Sequence, residues 1–501
     1  ADAQTIRKLM LQLEDDEVRY QLLLQLKALQ HWQESRDSAE AIASLPRPHP
    51  SAVRSLNQPR DPDTSFPCMG CTLLQIAEPT QGILYASLAF DLGLAPLLVQ
   101  ALGRAGLDAV SAAGRARHRA KWLSYLTFDI FVACKPDAPD RPVPYLLVEG
   151  ASDAADADIL LAEMQTSVLG ADLGTDKAKA WLKQHIEALP SSLRDDFSEN
   201  TLAWVRRQAR GQVSPAGKIG ADMKGLGLMK SAIEWKRAVK DEGQWQDLCR
   251  QLLDLQQGIR SRSGVTLGLI GDAETLSDAL QAAEEALDAV KPLSDPAMRP
   301  TPDKPLKPTN QALMWNLNSN YVSFQGRIHV DGPALVAAQV MQNSFDREVQ
   351  RLSGASTTSI IAHYSSQLIE MYSEDDPDIE KTAQAFMAAA VKLRRRCADL
   401  TDKELKSFVA GALRSLLPFW APATRGKESY RRFLQNWTSG HLGQLQKEFR
   451  SSDCKSLVDV SGRMFSTEFV LVAAASNEIA LSARKSDGTP LFDEYVQVDR
   501  L

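Results

Sequence analysis

Paired histidines are missing from this sequence. His31, His49, His118, His185, His329, His363 and His441 are the full set, and no two lie within ten residues of each other. A helix-borne zinc site needs two histidines one turn apart, as in H-E-x-x-H or H-x-x-E-H, and neither pattern occurs. Such a site is excluded within the chain unless distant loops assemble the ligands. Cysteine is scarce too. Cys68, Cys71, Cys134, Cys249, Cys397 and Cys454, spread over 501 residues, make no disulfide framework. Cys68-Met69-Gly70-Cys71 is a lone C-x-x-C with no second pair near it. Plain thiols explain it best, with a redox or metal role left open. No apolar run approaches the roughly 18 residues of a membrane-spanning helix. The best candidate, residues 469–475, ends at Ser476-Asn477-Glu478. An excess of positive charge is also absent: the net charge is −6 and Lys and Arg are dispersed, which gives no support for nucleic-acid binding. Neither a G-x-x-x-x-G-K-[ST] phosphate loop nor a G-x-S-x-G nucleophile elbow is found.

What remains is an ordinary globular composition, 44% hydrophobic and 24% charged, in a chain long enough for two domains with extra helices. Ala1 stands where Met would begin a chain, so we expect something upstream: a targeting peptide, a tag or half a protein. Residues 1–46 read as a helical hairpin. Ile6, Leu9, Met10 and Leu13 share one helical face, and Leu22, Leu23, Leu26, Leu29 and Trp32 share a second beyond Glu14-Asp15-Asp16. Residues 47–65 are proline-rich and read as an extended connector. A first domain, 66–290, holds strand patterns at 82–92, 122–133, 145–150 and 265–271. Its helices are expected at 154–168, 176–188, 191–212 and 272–290, with a glycine-rich turn at 217–227. Residues 291–309 are again proline-rich and separate off a second domain, 310–501. Two basic runs, 115–121 and Arg394-Arg395-Arg396, read as a solvated loop and a helix end.

The second domain repeats the first. Residues 321–330 answer 82–90, the hairpin 359–371 answers 122–150, and 379–393 answers 155–168. Ala421-Pro422-Ala423-Thr424-Arg425-Gly426-Lys427 answers Ser214-Pro215-Ala216-Gly217-Lys218, and 469–472 is a closing strand. A single repeat of a mixed unit at this length means a duplicated domain. The expected fold class is α+β: two domains, each an antiparallel sheet with helices on one face, after a helical hairpin.

Residues 348–382 carry the sharpest pattern. Val349-Gln350-Arg351-Leu352-Ser353-Gly354-Ala355-Ser356-Thr357 leads into a strand pair, then Ser373-Glu374-Asp375-Asp376-Pro377-Asp378-Ile379-Glu380-Lys381-Thr382. This resembles the last domain of the pitrilysin-type, inverted-motif zinc metallopeptidases, presequence protease branch. The family pattern there is V-R-E-x-G-G-A-Y-G, a strand pair, and S-Y-R-D-P-x-I-x-x-T. Pro79-Thr80-Gln81-Gly82-Ile83-Leu84-Tyr85, the stretch 214–227 and Leu269-Ile270-Gly271-Asp272 extend the likeness over nearly the whole chain.

The resemblance implies a C-terminal half without the zinc-bearing half. In that family an Arg and a Tyr flanking the Gly-Ala turn hold the peptide. Here Gln350 stands at the Arg position, with Arg351 one residue away, and Ser356 at the Tyr position beyond Gly354. Glu374 and Asp375 replace a further Tyr and Arg, turning the local field negative. No catalytic residue and no metal ligand is expected in this chain; zinc is expected only in a partner half. Two functions follow: the non-zinc half of a closed peptide chamber that degrades short or targeting peptides, or an inactive peptidase-like scaffold subunit of an organellar complex. Partners would be a zinc-bearing N-terminal-half subunit or other organellar subunits, with unfolded peptides as further candidates. The mitochondrial matrix or chloroplast stroma is the implied location. A half alone should expose an apolar sheet face, with Ile360, Ile361, Leu368 and Ile369 on the 359–371 hairpin, for a partner to cover.

Overall fold

The computed structural model describes residues 16–34, 60–68, 70–91, 123–169, 174–260, 265–288 and 306–501. The chain divides into two units, Ala1–Pro48 and His49–Leu501. In the first, the described structure is one helix, α1 (Asp16–Glu34), which opens on acidic Asp16 and Glu17 as its dipole favours. Leu22, Leu23 and Leu26 are exposed on it. Ile6, Leu9, Met10 and Leu13, the other arm of the expected hairpin, lie outside the described residues, as do the basic run 115–121 and most of 291–309.

The second unit opens with β1 (Thr64–Cys68), β2 (Cys71–Ala77), β3 (Ile83–Asp91), β4 (Leu123–Lys135) and β5 (Ala138–Asp153). Helices α2 (Ala157–Leu169), α3 (Asp176–Glu199), α4 (Thr201–Val213), α5 (Pro215–Lys224), α6 (Leu226–Ala238) and α7 (Glu242–Arg260) follow, then β6 (Thr266–Gly271) and α8 (Ala273–Asp288). Next come β7 (Gln311–Met314), β8 (Asn320–Arg327), α9 (Gly332–Ser353), β9 (Thr357–His363) and β10 (Leu368–Asp376). The chain continues with α10 (Ile379–Met387), α11 (Ala389–Ala398), α12 (Asp402–Leu416), α13 (Pro422–Leu434), α14 (Ser439–Ser451) and α15 (Cys454–Phe465). It closes with β11 (Phe469–Ala475), α16 (Asn477–Ser482) and β12 (Glu494–Gln497).

The described residues form two six-stranded sheets, ordered β1-β2-β6-β3-β5-β4 and β12-β7-β11-β8-β10-β9. From the second strand onward the orders correspond, β2 to β7, β6 to β11, β3 to β8, β5 to β10 and β4 to β9. The architecture is the α+β one read from the sequence, with two additions. Each sheet contains parallel pairing among its antiparallel pairs, β2 with β6 in the first and β7 with both β11 and β12 in the second. And each sheet is covered on its second face by a helix from the other half. Helix α4 packs on β8 and β11, and α13 packs on β2, β6 and β3. Trp204, Val205 and Ala209 of α4 thereby join Leu368, Val470 and Val472 in one cluster, and Tyr430 and Leu434 of α13 join Leu74, Ile76 and Ile270 in another. This explains the unbroken apolar runs of β6 and β11: strands covered on both faces need no polar alternation.

The exchange corrects the expectation of an exposed hairpin face. Leu368 and Ile369 are 0% exposed and Ile360 6%, while Ile361 is half-buried. Side chains of this same chain do the covering, so that face makes no case for a partner. Helix boundaries differ too. The glycine-rich stretch expected as a turn is helix α5: Ser214 caps it by accepting from the Gly217 N–H (3.0 Å) and Pro215 suits its first turn. Pro190 does not divide α3, because Leu182, Ile186, Leu189 and Phe197 anchor both sides of it in the core; the break comes at Asn200. Residues 379–393 are two helices, α10 and α11, with Ala388 between them.

Cys68 and Cys71 end one strand and begin the next, paired directly across a turn in which Gly70 adopts φ 81°. Both are buried thiols, joined in no disulfide. Burial, reinforced by Cys68, pushes the Cys71 thiol up to about 11, the reverse of what a reactive thiolate needs.

Candidate functional site

The residues singled out in the sequence meet at one turn. Helix α9 starts where Asp331 accepts from the Ala334 N–H (3.0 Å) and ends at Gly354, φ +81°, whose N–H reaches the Gln350 carbonyl at 2.8 Å. Only glycine suits this left-handed closing position, and a Cβ there would also meet Pro377 Cγ at 2.9 Å. Ser356 then pairs with β10: its N–H donates to the Glu374 carbonyl (3.1 Å), and its hydroxyl lies 3.1 Å from that oxygen and 3.2 Å from Asp375 Oδ2. Asp375 takes φ 48° within an irregularity of the β10–β8 pairing. Behind it, buried Asp376 accepts from the hydroxyls of Ser373 (2.5 Å) and Thr382 (2.6 Å) and from the Asp378 N–H (2.9 Å). The framework of the turn is therefore complete.

Of its candidate ligand-holding groups, Gln350 and Ser356 are engaged within the chain, although Ser356 and Arg351 are exposed. Gln350 donates along its own helix to Asp346 (3.4 Å), Ser356 is held by β10, and Arg351 lies in the last turn of α9 without an ion pair among the described residues. Burial and then the charges of Asp375 and Glu374 push the Tyr321 phenol up, so the local field is negative.

A second group of polar residues carries no sequence signal. Glu370, on β10, is 0% exposed. It accepts from Arg206 Nε (2.8 Å) and Nη2 (2.9 Å), Arg210 Nη2 (3.0 Å) and Gln325 Nε2 (2.7 Å), with His363 Nε2 at 2.9 Å. Arg206 and Arg210 sit on the exchanged helix α4, one turn apart on the same face. Arg206 also stacks over Tyr372, 4.2 Å from the ring centroid. The mirror arrangement is Glu78, 0% exposed after β2, held in a two-pronged pair by Arg425 of the exchanged helix α13. Each half thus offers a buried carboxylate to an arginine of the other. Glu370 and His363 face the same side of two paired strands, but Arg206 and Arg210 lie 164 and 160 residues from Glu370, beyond any local spacing rule. The repeat equates Arg425 with the region around 214–218, at the start of α5, and so does not point to Arg206 and Arg210 of α4.

Burial alone would push the Glu370 carboxyl up. Hydrogen bonds from Arg206 and His363 and the charges of both arginines outweigh it and hold the group well below the usual carboxylate range. Burial pushes His363 down; its bond to Glu370 opposes this only in part, and the neighbouring arginines add to the depression. His363 is therefore neutral, with Nε2–H donating to Glu370. On unfolding it can take up a proton that the folded state resists. Stability is expected to fall as pH drops below about 6.5, by at most about 1.4 kcal/mol per pH unit from this group. Glu370 adds a further loss below about pH 4.3, where the unfolded carboxyl protonates first. Urea unfolding from pH 8 to pH 4 checks this; His363→Gln should flatten the upper limb, and an unchanged profile would refute the assignment.

The other described histidines have structural partners. His185 stacks on Trp181, His329 bonds Gln367 (3.0 Å), and His441 sits between Thr438 and Asp137. Among the described residues no three His, Cys, Asp or Glu side chains converge as a metal site. Nor is any described helix long and apolar enough to cross a membrane.

Two family profiles match the sequence. One, described as associated with peptidases of family M16, subfamily C, covers residues 2–233, and the other, the PreP C-terminal domain, covers 310–477. The chain belongs to the pitrilysin-type peptidases and corresponds to their C-terminal half. Solved structures share the fold. A protease from Helicobacter pylori aligns with TM-score 0.59 at 12% identity over 82% of this chain and 99% of its own. The inactive domain of an M16 peptidase from Pseudomonas fluorescens aligns with TM-score 0.57 at 13% identity over 83% of this chain and 98% of its own. The periplasmic protease PqqL from Escherichia coli aligns with TM-score 0.53 at 11% identity; this M16 half covers 48% of that chain, with 89% of itself aligned. No curated protein matches the sequence.

Proposed function

We propose that this M16 C-terminal half is the non-zinc half of a presequence-protease-like assembly, forming one wall of a peptide chamber with a zinc-bearing half. The observation that carries the reading is the turn at Gly354. Its framework of Gly354, Asp376 and Thr382 is intact. The positions that the family resemblance assigns to peptide-holding Arg and Tyr are Gln350, bonded back along its own helix to Asp346, and Ser356, bonded to β10. Zinc and the general base would come from the partner, substrates would be short or targeting peptides, and the setting would be a mitochondrial matrix or chloroplast stroma. The description of the Pseudomonas fluorescens relative as an inactive domain supports a role without chemistry of its own. A second reading, an inactive scaffold subunit of a larger organellar complex, is favoured by the acidic pair Glu374 and Asp375, which turns the peptide-holding turn negative.

Sedimentation and peptide hydrolysis test both. The chain alone, 55.1 kDa, should cleave nothing, and native material should sediment as a heavier complex. With a zinc-bearing half present, Gln350→Arg and Ser356→Tyr together should raise hydrolysis by about a hundredfold or more, since each restored donor stabilises charge at the scissile carbonyl. A complex in which neither form cleaves peptides leaves the scaffold reading alone. A monomer without any partner in native extracts overturns both.

A further inference from the structure

Next to Glu370 a cavity of about 460 Å³ opens between the two halves. Arg206, Arg207 and Arg210 of α4 line it, with His363, Ser366 and the glycine face of α5 opposite. Among the described residues no carboxylate lines it. Glu370 lies behind the wall, wholly buried, and its two oxygens are already taken by five hydrogen-bonding atoms. Three guanidinium groups therefore meet two negative charges, Glu370 behind the wall and Asp196 beside Arg207.

Arg207 makes no ion pair among the described residues. Its Nη1 donates to the Lys224 carbonyl (2.5 Å), and its guanidinium lies 5.9 Å from the Trp204 ring centroid. The charge of Asp196 reaches it, but Asp196 is itself engaged by Trp204 Nε1 (2.7 Å) and Asn200 Nδ2 (2.8 Å). Arg210 shares Glu370 with Arg206, and its buried Nε has no partner among the described residues. Arg327, on the neighbouring strand β8, is already neutralised by Asp140. The surplus is one positive charge at a solvent-accessible, partly enclosed surface. Guanidinium groups match carboxylate and phosphate oxygens in a two-pronged geometry, and partial burial strengthens the attraction. Glycine at 217 and 220 keeps the opposing wall low. At Gly217 a Cβ would overlap the Arg210 carbonyl, so packing demands glycine there, whereas at Gly220 a Cβ would meet nothing within 4 Å.

We propose that this cavity is an anion site, taking one carboxylate- or phosphate-bearing group between Arg207, Arg210 and the α5 face. The source is either the C-terminal carboxylate of a peptide or a free small anion. The proposal is independent of any partner and of peptide cleavage.

Calorimetric titration of the purified chain tests it with inorganic phosphate, citrate, and one short peptide as free acid and as C-terminal amide. One anion per chain should bind, more weakly as NaCl is added. Arg207→Gln should weaken binding at least tenfold. Gly220→Glu, which places a carboxylate in open space inside the cavity, should abolish it, while Gly220→Ala should leave it unchanged. Urea midpoints of the variants verify that each is folded. A free-acid peptide at least tenfold tighter than its amide identifies a peptide terminus; equal peptides with tight citrate or phosphate identify a free anion. Absence of binding to the native chain, or native affinity in both Arg207→Gln and Gly220→Glu, overturns the proposal.

Discussion

Glu370→Ala is expected to destabilise the chain by about 3–5 kcal/mol, the range for breaking a buried ion pair from one side. The carboxylate is 0% exposed, whereas the side chains of Arg206 and Arg210 keep 28% and 34% of their exposure. Without Glu370, both guanidinium groups lose their carboxylate partner at once, while Gln325 Nε2 keeps the Arg206 carbonyl and the Ser323 hydroxyl. The charges would lie unpaired between α4 and β10, only partly exposed to water. Urea denaturation of the variant measures the loss. Removing the charges on both sides, as Arg206→Met with Glu370→Met, should recover part of it, because an apolar pair leaves one fewer orphan. A loss under about 1 kcal/mol for Glu370→Ala would show that the cluster is not what holds α4 to the second sheet.

The second large effect is expected at Tyr430, the corresponding anchor of α13 on the first sheet. Its side chain is 0% exposed and its hydroxyl donates to the Thr266 carbonyl at 2.7 Å. Burial keeps the phenol protonated and so a donor. The ring lies so close against Gly268 that a Cβ there would overlap it, and one turn earlier Gly426 approaches Ile270 as closely. Tyr430→Ala should therefore cost about 3–5 kcal/mol, since the glycine-walled slot cannot collapse onto the cavity left behind. Tyr430→Phe should cost only about 1 kcal/mol, for the hydrogen bond. Equilibrium unfolding decides it: similar losses for both substitutions would mean that the hydroxyl rather than the ring carries the contact.

The strands show how far the sequence can be read. Ile83–Asp91, Leu123–Lys135, Thr266–Gly271 and Phe469–Ala475 lie close to the expected segments, because a buried strand advertises itself through apolar content and flanking turns. Strands β1, β7 and β12 have no such signal; each is short and at or near a sheet edge, where little burial is needed to make a strand. Helix α5 is hidden because its glycines outweigh its cap in the sequence, yet two glycines at this junction exist to let α4 and α5 approach. At Gly211 a Cβ would meet the Ala221 Cβ at 2.8 Å, and at Gly217 it would overlap the Arg210 carbonyl.

The turn at Gly354 is legible for the same reason the strands are. Its residues are local, and Gly354, Ser356, Glu374 and Asp375 meet through one hairpin register, Thr357 opposite Glu374. The sequence by itself therefore determined the family and the duplicated α+β plan, both of which rest on neighbouring residues and periodic burial. The tertiary structure alone decided which helix covers which sheet. That choice buried the apolar face of the 359–371 hairpin, joined Glu370 to Arg206 and Glu78 to Arg425, and left Arg207 and Arg210 facing a cavity. Such pairings are made between segments 160 or more residues apart, and nothing in local spacing encodes them. They are set by which surfaces fit when the two halves close on each other.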